Sequence, residues 1–160
     1  MIFVTLGTQK FQFNRLLKKL DEIVENGNIK DEIFAQIGYS DYKPKNYKYK
    51  DFIDREQFKE IMAKSDIVIA HGGTGAIITA VKNGKKVIAI PRLAKYGEHV
   101  DDHQIQLVTE FESSGIISAV YDLDKLEEEL LTIRDKQFRP YKSNTDKIVE
   151  SIEDFIKGMK

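Results

Sequence analysis

The sequence predicts an α/β domain with a mostly parallel sheet covered by helices on both faces. Short runs of β-branched residues alternate along the chain with amphipathic helical segments, which is typical of such sheets. The 160 residues suit a single domain over 1–160, and 41% hydrophobic with 32% charged residues is a globular composition. Parallel sheets bind ligands beyond the carboxyl ends of their strands, so residues at those ends are the first candidates for a site.

The first half of the chain is predicted to contain two strand–helix units. A strand over 2–6 ends at Gly7-Thr8, and apolar residues then recur at helical spacing until Asn26-Gly27 ends the helix. A second strand follows, then a loop rich in Lys and Tyr with at most a short strand at its end, then a short helix. The predicted ranges are strands 2–6 and 33–38, helices 13–24 and 58–62, and loop 39–50.

The second half repeats the alternation of strands and helices. A capping box at Ser143 to Asp146 and an apolar face predict the last helix, which we expect to contact a partner subunit or to cover the domain's own sheet. The predicted ranges are strands 66–70, 87–90 and 116–120, an irregular stretch 92–100, and helices 74–81, 101–113, 124–133 and 144–157.

Charge and composition exclude several classes of function. Twenty-five basic residues nearly cancel 26 acidic ones, so a net charge of −1 provides no global field for nucleic acid or an anionic bilayer. The absence of Cys excludes disulfides and thiol chemistry. There is no apolar run of about 20 residues, and Met1 leads directly into a strand without a signal sequence, so we expect a cytoplasmic chain.

The turn His71-Gly72-Gly73-Thr74-Gly75 is the strongest candidate site. Three glycines within four positions lie where a hydrophobic strand becomes a helix, and backbone N–H groups in such a turn can approach an anion closely. Phosphate is the natural ligand, although the glycines are also explained by a tight turn and close packing alone. Neither a dinucleotide fingerprint nor a Walker loop is present. Gly7-Thr8, after the first strand, is a weaker phosphate candidate.

A polar cluster from Arg92 to Gln104 follows the strand that ends at Ile90. Its carboxylates, imidazoles and amide suit the hydroxyls of a hexose, because each hydroxyl both donates and accepts hydrogen bonds. His99 and His103 with Asp102 suggest a metal site instead, which we disfavour because zinc needs further ligands in fixed geometry. A capped, solvated helix start is the third interpretation.

Taken together, these motifs resemble the C-terminal, donor-binding half of GT-B glycosyltransferases, a Rossmann-like domain. The resemblance runs from Met1 to about Gly115. Within these transferases, the sequence is most similar to the small subunits of split enzymes, namely the bacterial exopolysaccharide and capsule transferases and the eukaryotic dolichol-linked GlcNAc transferase. The segments that carry it are Val4 to Thr8 with Phe13, Asp66 to Gly75, Gly84 to Val87, Pro91-Arg92, Gly97 to His99 and Asp102 to Gln104.

The resemblance implies where a UDP-sugar lies. The diphosphate is expected near Gly7, Thr8 and the turn His71 to Gly75, and the uracil on the loop around Phe52 and Ile53. The hexose hydroxyls are expected on Asp102, His103 and Gln104. Thr79 stands where the related peptidoglycan GlcNAc transferase carries a Glu for the ribose hydroxyls.

The implied reaction is transfer of a hexose to a lipid-linked acceptor, with inversion and without a metal or cofactor. Backbone N–H groups would stabilise the departing UDP, and Arg92 would either add a fixed cation or pair with a structural carboxylate. Glu98 or His99 is the candidate general base, unless the partner supplies it. A GT-B enzyme needs two domains, so we expect a membrane-anchored, acceptor-binding partner subunit that holds this chain at the inner face of the membrane. A sugar-nucleotide epimerase and a non-catalytic UDP-sugar sensor or scaffold are the alternatives.

Overall fold

The computed structural model describes residues 1–140 and confirms the α/β prediction. Six parallel strands form one sheet in the order β3-β2-β1-β4-β5-β6. The strands are β1 (Ile2–Thr5), β2 (Ile33–Gln36), β3 (Lys48–Lys50), β4 (Ile67–His71), β5 (Lys86–Ile90) and β6 (Ser118–Ala119). The helices are α1 (Asn14–Glu25), α2 (Arg55–Lys64), α3 (Thr74–Lys82), α4 (His103–Ser113) and α5 (Leu126–Thr132), with 3-10 turns at Ala94–Tyr96, Leu123–Lys125 and Ile133–Asp135.

Helices cover both faces of the sheet, as the alternating pattern predicts. On one face, Ile2 and Val4 of β1 pack in a cluster with the apolar sides of α1 and α5. On the other face, Phe3 packs with residues of α2, α3 and α4. Successive side chains of a strand point to opposite faces, so both clusters draw on the same short strands and leave their carboxyl ends free for the site.

The site is positioned by the order of the strands. From β1 the chain winds outward through β2 and β3, and from β4 it winds the other way through β5 and β6. This reversal opens a crevice between β1 and β4, where doubly wound sheets bind their ligands. Thr5 pairs with Ala70, so the two strands end side by side and bring Gly7 close to His71.

Several boundaries differ from the sequence prediction. The last strand is two residues long rather than five, because Ile116 and Ile117 are buried in the core without joining the ladder. Helix α2 begins earlier than predicted because Asp54 and Gln57 form a capping box at its start. The predicted helix 144–157 lies outside the described residues. Across residues 1–140, the helices are all too short or too polar to cross a bilayer.

Candidate functional site

A cleft of about 510 Å³ opens at the carboxyl ends of β1 and β4. It lies over the reversal of strand order, where the loops after β1 and β4 face each other. The residues that line it are Thr5, Gly7, Thr8, Gln9, Gln36, Ile53, Asp54, Arg55, Phe58, His71, Gly73, Thr74, Gly75, Ala76 and Thr79.

The glycine turn begins α3 and lines one wall of this cleft. Gly73 is the N-cap and makes no side-chain cap bond, and the first N–H groups of a helix have no acceptor within it. A Cβ on Gly73 would overlap the His71 ring, and one on Gly72 would lie 2.7 Å from Gln104 Cβ. A Cβ on Gly75 would meet nothing within 4 Å. Packing therefore explains Gly72 and Gly73, whereas the missing side chain of Gly75 keeps the cleft open.

His71, the last residue of β4, forms part of the cleft floor. Its imidazole is 8% exposed, and burial, assisted by the nearby Arg92 and His99, lowers the pKa of His71 to about 3. The ring is therefore neutral near pH 7 and carries a single proton. Nδ1 lies 3.4 Å from the side-chain nitrogen of Gln104. The other side of the ring faces Gly7, where a Cβ would lie 2.7 Å from Nε2.

The loop after β1 forms the facing wall. Gly7 has a φ of +73°, a conformation that side chains disfavour, and the lack of a side chain also leaves room for His71. Thr8 and Gln9 follow and line the cleft. The structure thus brings the two sequence-predicted phosphate candidates, Gly7-Thr8 and the glycine turn, to opposite sides of one space.

The end of the cleft toward β3 contains residues that sequence analysis missed. Ile53 and Thr79, both predicted, line the cleft, but Phe52 is outside it and packs its half-exposed ring against Tyr39 with the centroids 5.2 Å apart. Arg55, at the start of α2, is the cationic side chain among the lining residues. The pattern Asp54-x-x-Gln57, a capping box, is the sequence signal that could have located the start of α2 and with it Arg55.

Arg92 is buried and binds main-chain carbonyls. Its guanidinium donates to Leu6 O, to Phe11 O at 2.9 Å, to Gln12 O and to Glu98 O, and the residue is 1% exposed. Burial lowers the pKa of Arg92 to about 10, so the group stays cationic at neutral pH. Arg92 thus ties the loop after β1 to the loop after β5. It does not line the cleft, and within residues 1–140 it forms no ion pair with a carboxylate.

Glu98, one of the two predicted bases, has no exposed surface. Its carboxylate accepts from Arg15 Nε at 3.0 Å and Nη2 at 3.1 Å, and from the N–H of Leu93 at 3.0 Å. These bonds occupy both oxygens inside the fold. Glu98 is therefore placed as a structural partner of Arg15 rather than as a base facing a substrate.

The other imidazoles gather around Asp101, which sequence analysis did not single out. Asp101 Oδ1 lies 3.2 Å from His99 Nδ1, and Oδ2 lies 3.3 Å from His103 Nδ1. The exposed Asp102 accepts from the N–H of Ala94. The predicted residues His99, Asp102 and His103 all lie outside the residues that line the cleft. Within residues 1–140, no group of three or more His, Asp or Glu is arranged to hold a metal ion.

Gln104 is also turned inward. It is 4% exposed, and its amide binds Gly72, Arg92 and His71 rather than the open space predicted for a hexose. Of the site residues predicted in this cluster, Arg92, Glu98 and Gln104 are buried. Asp102 is exposed, and His99 and His103 are partly exposed.

The sequence model of the glycosyltransferase family 28 C-terminal domain matches residues 1–159. The chain belongs to this family. The resemblance to the C-terminal half of GT-B glycosyltransferases is thereby confirmed. Among curated relatives, the UDP-N-acetylglucosamine transferase subunit ALG13 of Cryptococcus neoformans is 25% identical over 105 residues, which cover 63% of this chain and 50% of ALG13. The matched part thus spans about half the length of these curated relatives.

Three solved structures share the fold of this family 28 domain. An NMR structure of ALG13 has a TM-score of 0.57 at 18% identity, covering 87% of each chain. MurG of Acinetobacter baumannii has a TM-score of 0.57 at 17% identity, over 82% of this chain and 40% of MurG. The glycosyltransferase of kitacinnamycin has a TM-score of 0.61 at 14% identity, over 85% of this chain and 35% of that one.

Proposed function

We propose that this family 28 domain is the catalytic, UDP-sugar-binding subunit of a two-subunit glycosyltransferase. It transfers a hexose to a lipid-linked acceptor in exopolysaccharide or capsule synthesis. The proposal depends on one observation: the start of α3, the gap at Gly75 and the neutral His71 all face the cleft between β1 and β4. Such a wall of N–H groups suits the diphosphate of an activated sugar.

Each part of the UDP moiety has a chemical counterpart in the cleft. The N–H groups at the start of α3, with Thr8 and Thr74, bind the diphosphate, and Arg55 adds positive charge. Ile53 supports the uracil, and the hydroxyl of Thr79 binds the ribose. The hexose extends toward Asp102 and His103, which lie outside the cleft near the start of α4.

In the proposed reaction, the acceptor hydroxyl oxygen bonds to the anomeric carbon as the bond from that carbon to the diphosphate breaks. UDP leaves with the electron pair, and the amides at α3 stabilise its growing negative charge. The acceptor proton passes to a base, for which we propose His99 over the enclosed Glu98. Asp101 Oδ1 lies 3.2 Å from His99 Nδ1, so Nε2 is the nitrogen that we expect to take up the proton.

His99→Gln tests this assignment. The variant should lower kcat while leaving the Kd for UDP unchanged, because His99 lies outside the nucleotide cleft. An unchanged kcat would place the base elsewhere, with the partner subunit as the next candidate.

The proposed partner supplies the acceptor site and the attachment to the membrane. This chain corresponds to about 40% of MurG but to 87% of the solved ALG13 chain, and ALG13 is named as a subunit. Because glycosyl transfer must exclude water, a second domain is needed to close the cleft. We further propose that this partner holds the chain at the cytoplasmic face of the membrane.

Calorimetric titration of the full chain with UDP and with uridine tests the donor site. UDP should bind at least about tenfold more tightly, equivalent to about 1.4 kcal/mol from the phosphate contacts. Equal affinities would contradict the diphosphate assignment. With the partner present, UDP-sugar binding without transfer would favour the sensor, and conversion of the sugar without an acceptor would favour the epimerase.

A further inference from the structure

The side-chain amide of Gln104 has an orientation that its neighbours fix. Oε1 accepts from the N–H of Gly72 at 3.0 Å and from the N–H of Arg92 at 2.9 Å. A main-chain N–H only donates, so the carbonyl oxygen must face these two groups. The NH₂ group of Gln104 must therefore point the other way.

That NH₂ group faces His71. Its nitrogen lies 3.4 Å from His71 Nδ1 in a buried contact. Because an amide nitrogen donates and does not accept, Nδ1 has to accept with its lone pair. A neutral imidazole carries one proton, which therefore resides on Nε2.

The protonated edge of His71 points toward the cleft. A Cβ built on Gly7 would lie 2.7 Å from Nε2, and one built on Gly73 would overlap the ring. Both positions carry no side chain, and both line the cleft together with Thr8 and Thr74. The Nε2–H group thus lies between the two loops that hold the proposed diphosphate.

We propose that Gln104 is a positioning residue that holds His71 as the Nε2–H tautomer and so directs a neutral N–H donor at the phosphate. This inference rests on the proposed function. The opposite tautomer would present a lone pair to the phosphate oxygens and repel them, so the position of one proton decides whether His71 attracts or repels the ligand. Gln104 acts here through His71 rather than as a ligand of the hexose.

Long-range ¹H–¹⁵N spectra of the histidine rings in the full chain test the tautomer directly. His71, assigned by its loss in His71→Asn, should show a protonated Nε2 and an unprotonated Nδ1 at pH 7. A protonated Nδ1, or an average of both tautomers, would overturn the inference without any ligand being added.

Two substitutions separate this role from a merely structural one. Gln104→Met removes the amide, so His71 should lose its fixed tautomer and UDP should bind roughly tenfold more weakly. Gln104→Glu retains acceptors for Gly72 and Arg92 but turns an oxygen toward Nδ1, so Nδ1 should become protonated. Gln106→Met and Gln106→Glu, on the same helix, are the matched controls and should change neither property.

The outcomes distinguish this inference from the proposed function. Weaker UDP binding in Gln104→Met with an unchanged His71 tautomer would overturn the positioning role. Gln104 would then only connect the N–H groups of Gly72 and Arg92 as a structural contact. If the wild type showed the expected tautomer, Gln104→Met lost it, and neither bound UDP, the proposed function and the phosphate ligand would be contradicted, while Gln104 would still be shown to set the tautomer.

Discussion

The loop after β4 and the loop after β5 lie at the same edge of the sheet but use their polar groups in opposite ways. The first is the glycine turn, where N–H groups at the start of α3 face an open cleft. The second, from Arg92 to Asp102, turns its strongest polar groups inward, where Arg92 and Glu98 bond to main chain and to Arg15. The comparison teaches that free hydrogen-bonding capacity, rather than the density of polar residues, marks the site.

The inward-facing loop still serves the cleft, because it supports the loop opposite. Arg92 holds the carbonyls of Leu6, Phe11 and Gln12, which lie in the segment between β1 and α1. Gln12 in return donates to Tyr96 O at 2.8 Å. The position of Gly7 and Thr8 therefore depends on a buried cation that does not itself line the cleft.

The largest effect that we expect is the loss of stability on replacing Arg92. Arg92→Met should lower the free energy of unfolding by about 3 kcal/mol, because a methionine fills part of the space but leaves buried carbonyls without a donor. Urea denaturation measures the change. Lys95→Met removes the same charge from the exposed part of the loop and should cost less than about 0.5 kcal/mol. Equal effects in the two variants would contradict the supporting role of Arg92.

Gly75→Val tests the open side of the comparison. The new side chain enters space that is empty within 4 Å of the added Cβ, so the fold should be retained. The UDP affinity measured by calorimetry should nevertheless fall by roughly tenfold or more, about 1.4 kcal/mol, because the side chain occupies the ligand's space. Gly75→Ala should give a smaller loss. If the valine variant kept the wild-type affinity, the diphosphate would have to bind elsewhere.

His71 joins the two regions, and its burial predicts a pH dependence. The unfolded chain takes up the His71 proton near pH 6.5, whereas burial lowers the pKa of the folded group to about 3. Between these values the unfolded state binds more protons, so stability is highest above about pH 6.5 and falls toward pH 3. The slope from His71 is at most about 1.4 kcal/mol per pH unit. Urea midpoints at pH 7 and pH 5 should change less in His71→Asn than in wild type, and identical changes would disprove the buried neutral imidazole.

The sequence predicted the parts of the molecule that follow a periodic pattern. Alternating strands and helices indicated the parallel sheet, and the position of three glycines after a buried strand located the start of α3. Strand ends are readable because a hydrophobic run stops there, and parallel strands bring their ends to one edge. The sequence therefore correctly predicted that Gly7 and the glycine turn lie at one edge of the sheet.

Side-chain direction in the loop from 92 to 102 was beyond such reasoning. An irregular stretch has no period from which to infer an inward or outward face, so Glu98 and Gln104 resembled ligands as much as Asp102 did. Their burial depends on contacts with Arg15 and Gly72, which are distant in the sequence. Arg55 was missed for a related reason, since only the folded sheet brings the start of α2 to the cleft.

A titration of the ¹⁵N-labelled full chain with UDP, followed by backbone amide shifts, tests the central claim most directly. We expect the largest shifts at Gly7 and Thr8 and over 73–76, where the two walls of the cleft present their N–H groups. Shifts confined to 92–103, or none at saturating UDP, would contradict the claim.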